Sequence, residues 1–279
     1  MRHRSFLGAM MLSVALCATL GRAQAFDDEK YPDWKGQWIR IGDAARWDLT
    51  KPVGLGQQAP LTPEYQAKLE RSLADQQAGG QGLNLMSRCY PPGMPRMMLA
   101  YNQFEFLVFP DVTYIVQEHF GELRRVYTDD RPWPQNVKST FSGYSIGKWI
   151  DEGGDGRYDA LRIETRNIGG PRTFESSGTP LHEDGQTIVK EYIHPDRDNP
   201  DILRNEITTI DHALTRPWTV TRSYRHERKP AWFEHPCESA YNHHLFIGGE
   251  NYFFSADGRL MPARKGQPAP DLRYFDPPQ

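Results

Sequence analysis

From residue 103 onward the hydrophobic positions recur with a period of two. Leu161, Ile163 and Thr165 alternate with Arg162, Glu164 and Arg166, the pattern of a strand with one wet face. The same period predicts strands over 103–109, 112–118, 122–127, 140–150, 158–166, 186–194, 202–211, 218–226 and 250–254. Turn-forming clusters separate them, such as Asp129-Asp130-Arg131-Pro132 and Asp196-Arg197-Asp198-Asn199-Pro200. Upstream, Gly36-Gln37-Trp38-Ile39-Arg40-Ile41 reads as a turn leading into a further strand. A single helical pattern precedes the strand-rich region. Tyr65, Leu69 and Leu73 fall at i, i+4 and i+8, with Thr62 as N-cap and Pro63 at the first helical position, which predicts a helix near 62–75. Short connections between eight or nine strands imply an antiparallel meander that closes on itself. The expected fold is therefore mainly β: an antiparallel up-and-down β-barrel with one N-terminal helix. It forms a single domain over 26–266, followed by a Pro-rich tail over 267–279.

The first 25 residues follow a different pattern. Arg2 and Arg4 precede an apolar stretch from Phe6 to Leu20, and Ala23-Gln24-Ala25 supplies small residues for cleavage. This reads as a secretory signal peptide, too short for a membrane anchor, and places the protein in the periplasm or outside the cell. Cys17 leaves with the signal, so Cys89 and Cys237 remain as an even pair in an oxidising compartment and are expected to form one disulfide. Closing that loop contributes about 5 kcal/mol in the chain-entropy description. Removing 25 residues from 279 leaves 254, with 30 positive and 36 negative side chains. The absence of any basic block or stripe in the sequence disfavours nucleic acid and anionic membrane as partners. A small-molecule ligand is the expected partner instead, and the seven Trp, thirteen Tyr and thirteen Phe suit an aromatic compound or a sugar.

Three motifs carry competing readings. Gly143-Tyr144-Ser145-Ile146-Gly147 matches a hydrolase nucleophile elbow, which requires a helix after the serine. The exit Lys148-Trp149-Ile150-Asp151 has no helical pattern, so a glycine-bearing strand at a barrel corner is the preferred reading. His235, Cys237, His243 and His244 are close in sequence, yet their spacing fits no standard zinc signature. Met86, Met94, Met97 and Met98 offer soft ligands for copper but equally fill an irregular, Pro-rich segment against a core. No metal and no cofactor is therefore expected.

Charge on the more apolar faces of the strands is the stronger functional signal. Alternation groups Tyr114 with Val112, Val116 and Glu118; Arg125 with Leu123 and Tyr127; Glu191 with Thr187, Val189 and Ile193; and Arg222 with Trp218, Val220 and Tyr224. If those faces line the barrel, Glu118, Arg125, Glu191 and Arg222 must pair with one another, bind a polar ligand, or both. Two functions follow. One is a cofactor-independent lyase or isomerase acting by acid–base chemistry on a small aromatic or carboxylated molecule. Its catalytic set is Tyr114, Glu118, Arg125, Tyr127 and Glu191, with Arg222, Tyr224 and Trp218 binding the substrate. The other is a periplasmic binding protein that holds an aromatic or hydrophobic compound without chemistry.

Four segments carry a resemblance: Gly93-Met94-Pro95-Arg96-Met97-Met98, Arg125-Val126-Tyr127-Thr128-Asp129-Asp130-Arg131, Gly143-Tyr144-Ser145-Ile146-Gly147-Lys148-Trp149, and Arg216-Pro217-Trp218-Thr219-Val220. Together they resemble a large group of secreted bacterial β-barrel proteins of calycin-like (lipocalin-like) type, over nearly the whole mature chain, which implies a calycin-like barrel here. The group usually shows Trp-Glu-Gly-Asp-Thr-Leu after the third segment. This chain has Ile150-Asp151-Glu152-Gly153-Gly154-Asp155-Gly156 instead, which implies a longer hairpin. The resemblance implies architecture and no activity.

Overall fold

The computed structural model describes residues 28–42, 57–80, 82–83, 86, 89–99, 103–118, 121–175, 177–229, 231, 244–254 and 260–271. Nine strands close into a barrel: β1 (Gln37–Ile41), β2 (Phe104–Val108), β3 (Val112–Gln117), β4 (Leu123–Tyr127), β5 (Tyr144–Ile150), β6 (Ala160–Arg166), β7 (Ile188–Pro195), β8 (Ile202–Ile210) and β9 (Trp218–Glu227), with β1 pairing back onto β9. Closure leaves no open sheet edge in this body. A separate three-stranded sheet is made by β10 (His244–Ile247), β11 (Glu250–Phe254) and β12 (Leu260–Pro262). Of these only β11 stands out in the sequence pattern; β10 and β12 are three or four residues long and too short to show a period.

The barrel is mixed, and this corrects the antiparallel expectation. β4 and β5 run parallel, paired at Val126↔Ser145 and Tyr127↔Ile146. A parallel neighbour cannot be reached by a tight hairpin. Residues 128–143 make the crossover, lying along the outside of the barrel with Arg131 over the Tyr127 ring and Trp133 near Tyr144. Sequence turn signals mark where a chain leaves a strand, but not the direction in which it returns.

The one α-helix among the described residues, α1 (Pro63–Gln77), begins as expected, with Thr62 at the N-cap and Pro63 at the first position. Its approach is tied to the β8–β9 connection by Thr62 N–H to Ala213 O (2.9 Å) and by Thr215 N–H to Pro60 O (2.8 Å). Among the described residues no helix is long and apolar enough to cross a membrane.

Residues 93–99 plug one end of the barrel. Met94, Met97, Met98 and Leu99 are fully buried, so these methionines act as core packing, as their flexible side chains allow. Three consecutive plug carbonyls are taken up by inward-facing barrel side chains. Gln117 Nε2 donates to Met97 O (2.7 Å), Tyr224 Oη to Met98 O (2.5 Å) and Arg40 Nη1 to Leu99 O. At the plug's entry Glu122 accepts from Gly93 N–H (3.2 Å) and from Ser142 Oγ (2.6 Å); burial pushes its carboxyl up from the usual range. Gly93 has φ +60, and a Cβ there would stand 2.6 Å from Phe141 O, so only glycine lets the plug and crossover meet.

Candidate functional site

Six barrel strands contribute to one buried polar layer. Arg124 on β4 donates through Nε to Ser145 Oγ (3.1 Å) and through Nη2 to Thr165 Oγ1 (2.8 Å) and to Glu191 Oε2. Glu191 Oε1 accepts from Asn205 Nδ2 (3.0 Å), and Arg222 is buried beside Asn205 in the β8–β9 register. The Arg124 and Glu191 side chains are 1% and 0% exposed. Such a pair must be satisfied or it destabilises the fold. Here every oxygen of Glu191 is occupied, which leaves it no role as a free base.

The structure brings together only part of the set expected from alternation. Glu191, Arg222, Tyr224 and Trp218 face inward, as read. Tyr224 is engaged with the plug, and Trp218 packs on Phe174 at 4.6 Å between ring centroids. Tyr114, Arg125 and Tyr127 lie instead on the outer face, where Arg125 sits over Tyr114 at 5.8 Å and Tyr127 stacks on Tyr144 at 5.0 Å. Glu118 is buried beyond the end of β3 and accepts from Gln103 Nε2 (3.2 Å), apart from the layer.

The reason is that β3 and β4 do not carry an unambiguous pattern. β3 has apolar residues on both faces, and β4 has Arg124 and Arg125 side by side. A one-residue shift in the reading exchanges the faces. Sequence reasoning missed Arg124, and with it its neighbours Thr165 and Asn205 in the layer. The signal for Arg124 was its position two residues before Val126, which alternation places on the same face.

Ser145 is the second residue of β5, fully buried and bonded to Thr165 and Arg124, and it is followed by strand to Ile150. Its surroundings are those of a packed strand and not of a nucleophile elbow. Cys237, His235 and His243 lie outside the described residues, so the expected disulfide and histidine cluster fall there in whole or part. Cys89 sits in a turn at φ +60.

An open groove of about 520 Å³ runs over the outer face of β5–β8. Two cross-strand rows form its floor. Lys148, Arg162, Tyr192 and Glu206 stand in direct register in one; Ile146, Glu164, Lys190 and Thr208 form the other. Glu164 is neutralised by Arg166 (2.5 Å) and Lys190 (3.5 Å). Arg162 lies over the Tyr192 ring at 5.1 Å. Neither Lys148 nor Arg162 forms an ion pair among the described residues. Like charges directly opposite on neighbouring strands are destabilising. The Tyr192 hydroxyl is pushed up to about 12, by burial first and then by its hydrogen bond to Glu152.

Comparison with protein-family models finds no matching family, and a search of curated proteins finds no match. Fold and groove geometry therefore carry the functional argument alone.

Proposed function

We propose that this chain is a secreted small-molecule-binding barrel that holds a small aromatic carboxylate in the groove over β5–β8. The observation that carries this reading is the Lys148–Arg162 pair: two cations in register, neither in an ion pair among the described residues, beside the half-buried Tyr192. A ligand carboxylate between them would relieve their repulsion, and an aromatic ring would rest against Tyr192. The lyase or isomerase reading needs a proton-transfer group poised near neutrality. Tyr192 is shifted the other way, to about 12, and Glu191 is committed to Arg124 and Asn205. Binding without chemistry is thus the better supported of the two.

Calorimetric titration with benzoate and cinnamate tests this. Lys148→Ala and Arg162→Ala should each weaken binding at least about tenfold, the loss expected for a charge-assisted contact. Lys148→Ala should leave folding stability unchanged or slightly raised, because it removes a like-charge neighbour. Unchanged affinity in both variants would refute the groove as the site, and conversion of either ligand to a product would restore the enzymatic reading.

Export and the disulfide belong to the same proposal. Intact mass should place the mature N-terminus at Phe26, and a non-reduced peptide map should link Cys89 to Cys237. Alkylation of both thiols without prior reduction would exclude the bridge.

A further inference from the structure

A second constellation lies at the barrel end near α1, away from the groove and independent of the function proposed for it. His182 belongs to the connection preceding β7 and His212 to the β8–β9 connection, and Asp184 stands between them. The geometry points to a binding site for one divalent first-row transition ion, held by His182 Nδ1, Asp184 Oδ2 and His212 Nδ1.

The three donor atoms lie within 4.8 Å of one another. Asp184 Oδ2 is 3.2 Å from His182 Nδ1 and 2.5 Å from His212 Nδ1. Donors around a tetrahedral ion with bonds of about 2.0–2.1 Å stand roughly 3.3 Å apart, so the gap between the imidazoles closes with a modest side-chain rotation. His182 Nδ1 accepts the Asp184 backbone N–H at 3.2 Å, which leaves the ring proton on Nε2; a bound ion would replace that long hydrogen bond on the single Nδ1 lone pair. The Asp184 carboxylate oxygen stands 3.2 Å from the same nitrogen, so an ion that takes the lone pair has an anionic donor beside it.

The support behind these groups is buried and polar. Asp211 Oδ1 accepts the backbone N–H of His182 (2.9 Å) and of Ala213 (2.8 Å), fixing the chain on both histidine-bearing connections at once. Asp211 Oδ2 accepts from Thr187 Oγ1 (2.5 Å), while Arg172 Nη2 donates to His182 O (2.8 Å) and to Thr187 Oγ1. Asp184 Oδ1 accepts the Gln186 N–H (3.0 Å). An outer shell of this kind orients ligands for a metal.

Two imidazole nitrogens and one carboxylate suit zinc, iron, cobalt or nickel; calcium and magnesium prefer all-oxygen sets. His182 and Asp184 line a cavity of about 580 Å³, with Tyr65, Lys68 and Arg172 on its walls. Three protein ligands leave a coordination position open toward it, for water or for an anionic ligand.

Asp184 and His212 lie 28 positions apart, and the antiparallel β7–β8 register, which pairs Ile188 with Ile210, brings them together. The test uses untagged full-length mature protein, stripped with chelator and titrated with zinc chloride by calorimetry, with cobalt absorption as a second readout. One equivalent should bind. His182→Ala, His212→Ala and the near-isosteric Asp184→Asn should each weaken binding by about 100-fold or more, above the losses seen for outer-shell changes. Substituting His235, His243 and His244 together by alanine should leave it unchanged. Absence of stoichiometric binding would overturn the site, as would binding that survives the His182→Ala/His212→Ala double variant. A purely structural His–Asp–His clasp would show altered melting in these variants with no cobalt spectrum, which also overturns it.

Discussion

Replacing Glu191 by leucine is expected to lower folding stability by about 3–5 kcal/mol, because it strands the Arg124 guanidinium inside the barrel. Arg124 already has its Nη1 buried without a hydrogen-bond partner, and Glu191 is the carboxylate it pairs with among the described residues. The loss should appear as a lower denaturant midpoint with an unchanged slope. Combining Glu191→Leu with Arg124→Met should recover most of it, since a buried ion pair exchanged for apolar side chains of similar volume is often neutral. The neighbouring Arg125→Met, on the outer face over Tyr114, should cost only about 0–1 kcal/mol. Equal losses at 124 and 125 would contradict the assignment of faces on β4.

The second large effect is expected at Phe104. Its ring meets Phe106 and Tyr224 edge-on, at 5.4 and 4.8 Å between centroids, and is 2% exposed. Phe104→Ala should cost about 3–5 kcal/mol through the cavity it leaves. Tyr224 would lose the ring that holds it while its hydroxyl donates to Met98 O, so loosening of the plug should accompany the loss. Hydrogen exchange at Met97 and Leu99 would report that loosening. Leu107, on the same strand but 45% exposed, should tolerate alanine within about 0.5 kcal/mol. A cost at Phe104 no larger than at Leu107 would mean that the barrel core is not packed as described.

The contrast between Arg124 and Arg125 also separates what could be read from the sequence from what could not. On β6 one face is apolar and the other charged, and on β7 and β9 Val189, Ile193, Trp218 and Val220 outweigh the single Glu191 or Arg222 beside them, so the inward face of each is determined without any partner. The start of α1 was equally legible, because Thr62 and Pro63 act within one turn of chain. These are local effects, and local physics determined them. On β3 and β4 the pattern is two-sided, and the choice of face fell to the pairing partners: Arg124 turns inward where Ser145, Thr165 and Glu191 from three later strands converge on it.

The parallel β4–β5 pair, the plug held by Gln117, Tyr224 and Arg40, the row of Lys148, Arg162 and Tyr192, and the meeting of His182 with His212 share that origin. By itself the sequence determined the β-rich class, the helix, and most strand positions and faces, because hydrophobic period and capping are properties of neighbouring residues. Only the tertiary structure decided direction, register across the barrel and the composition of each site, because those depend on which distant strands the closed sheet makes neighbours.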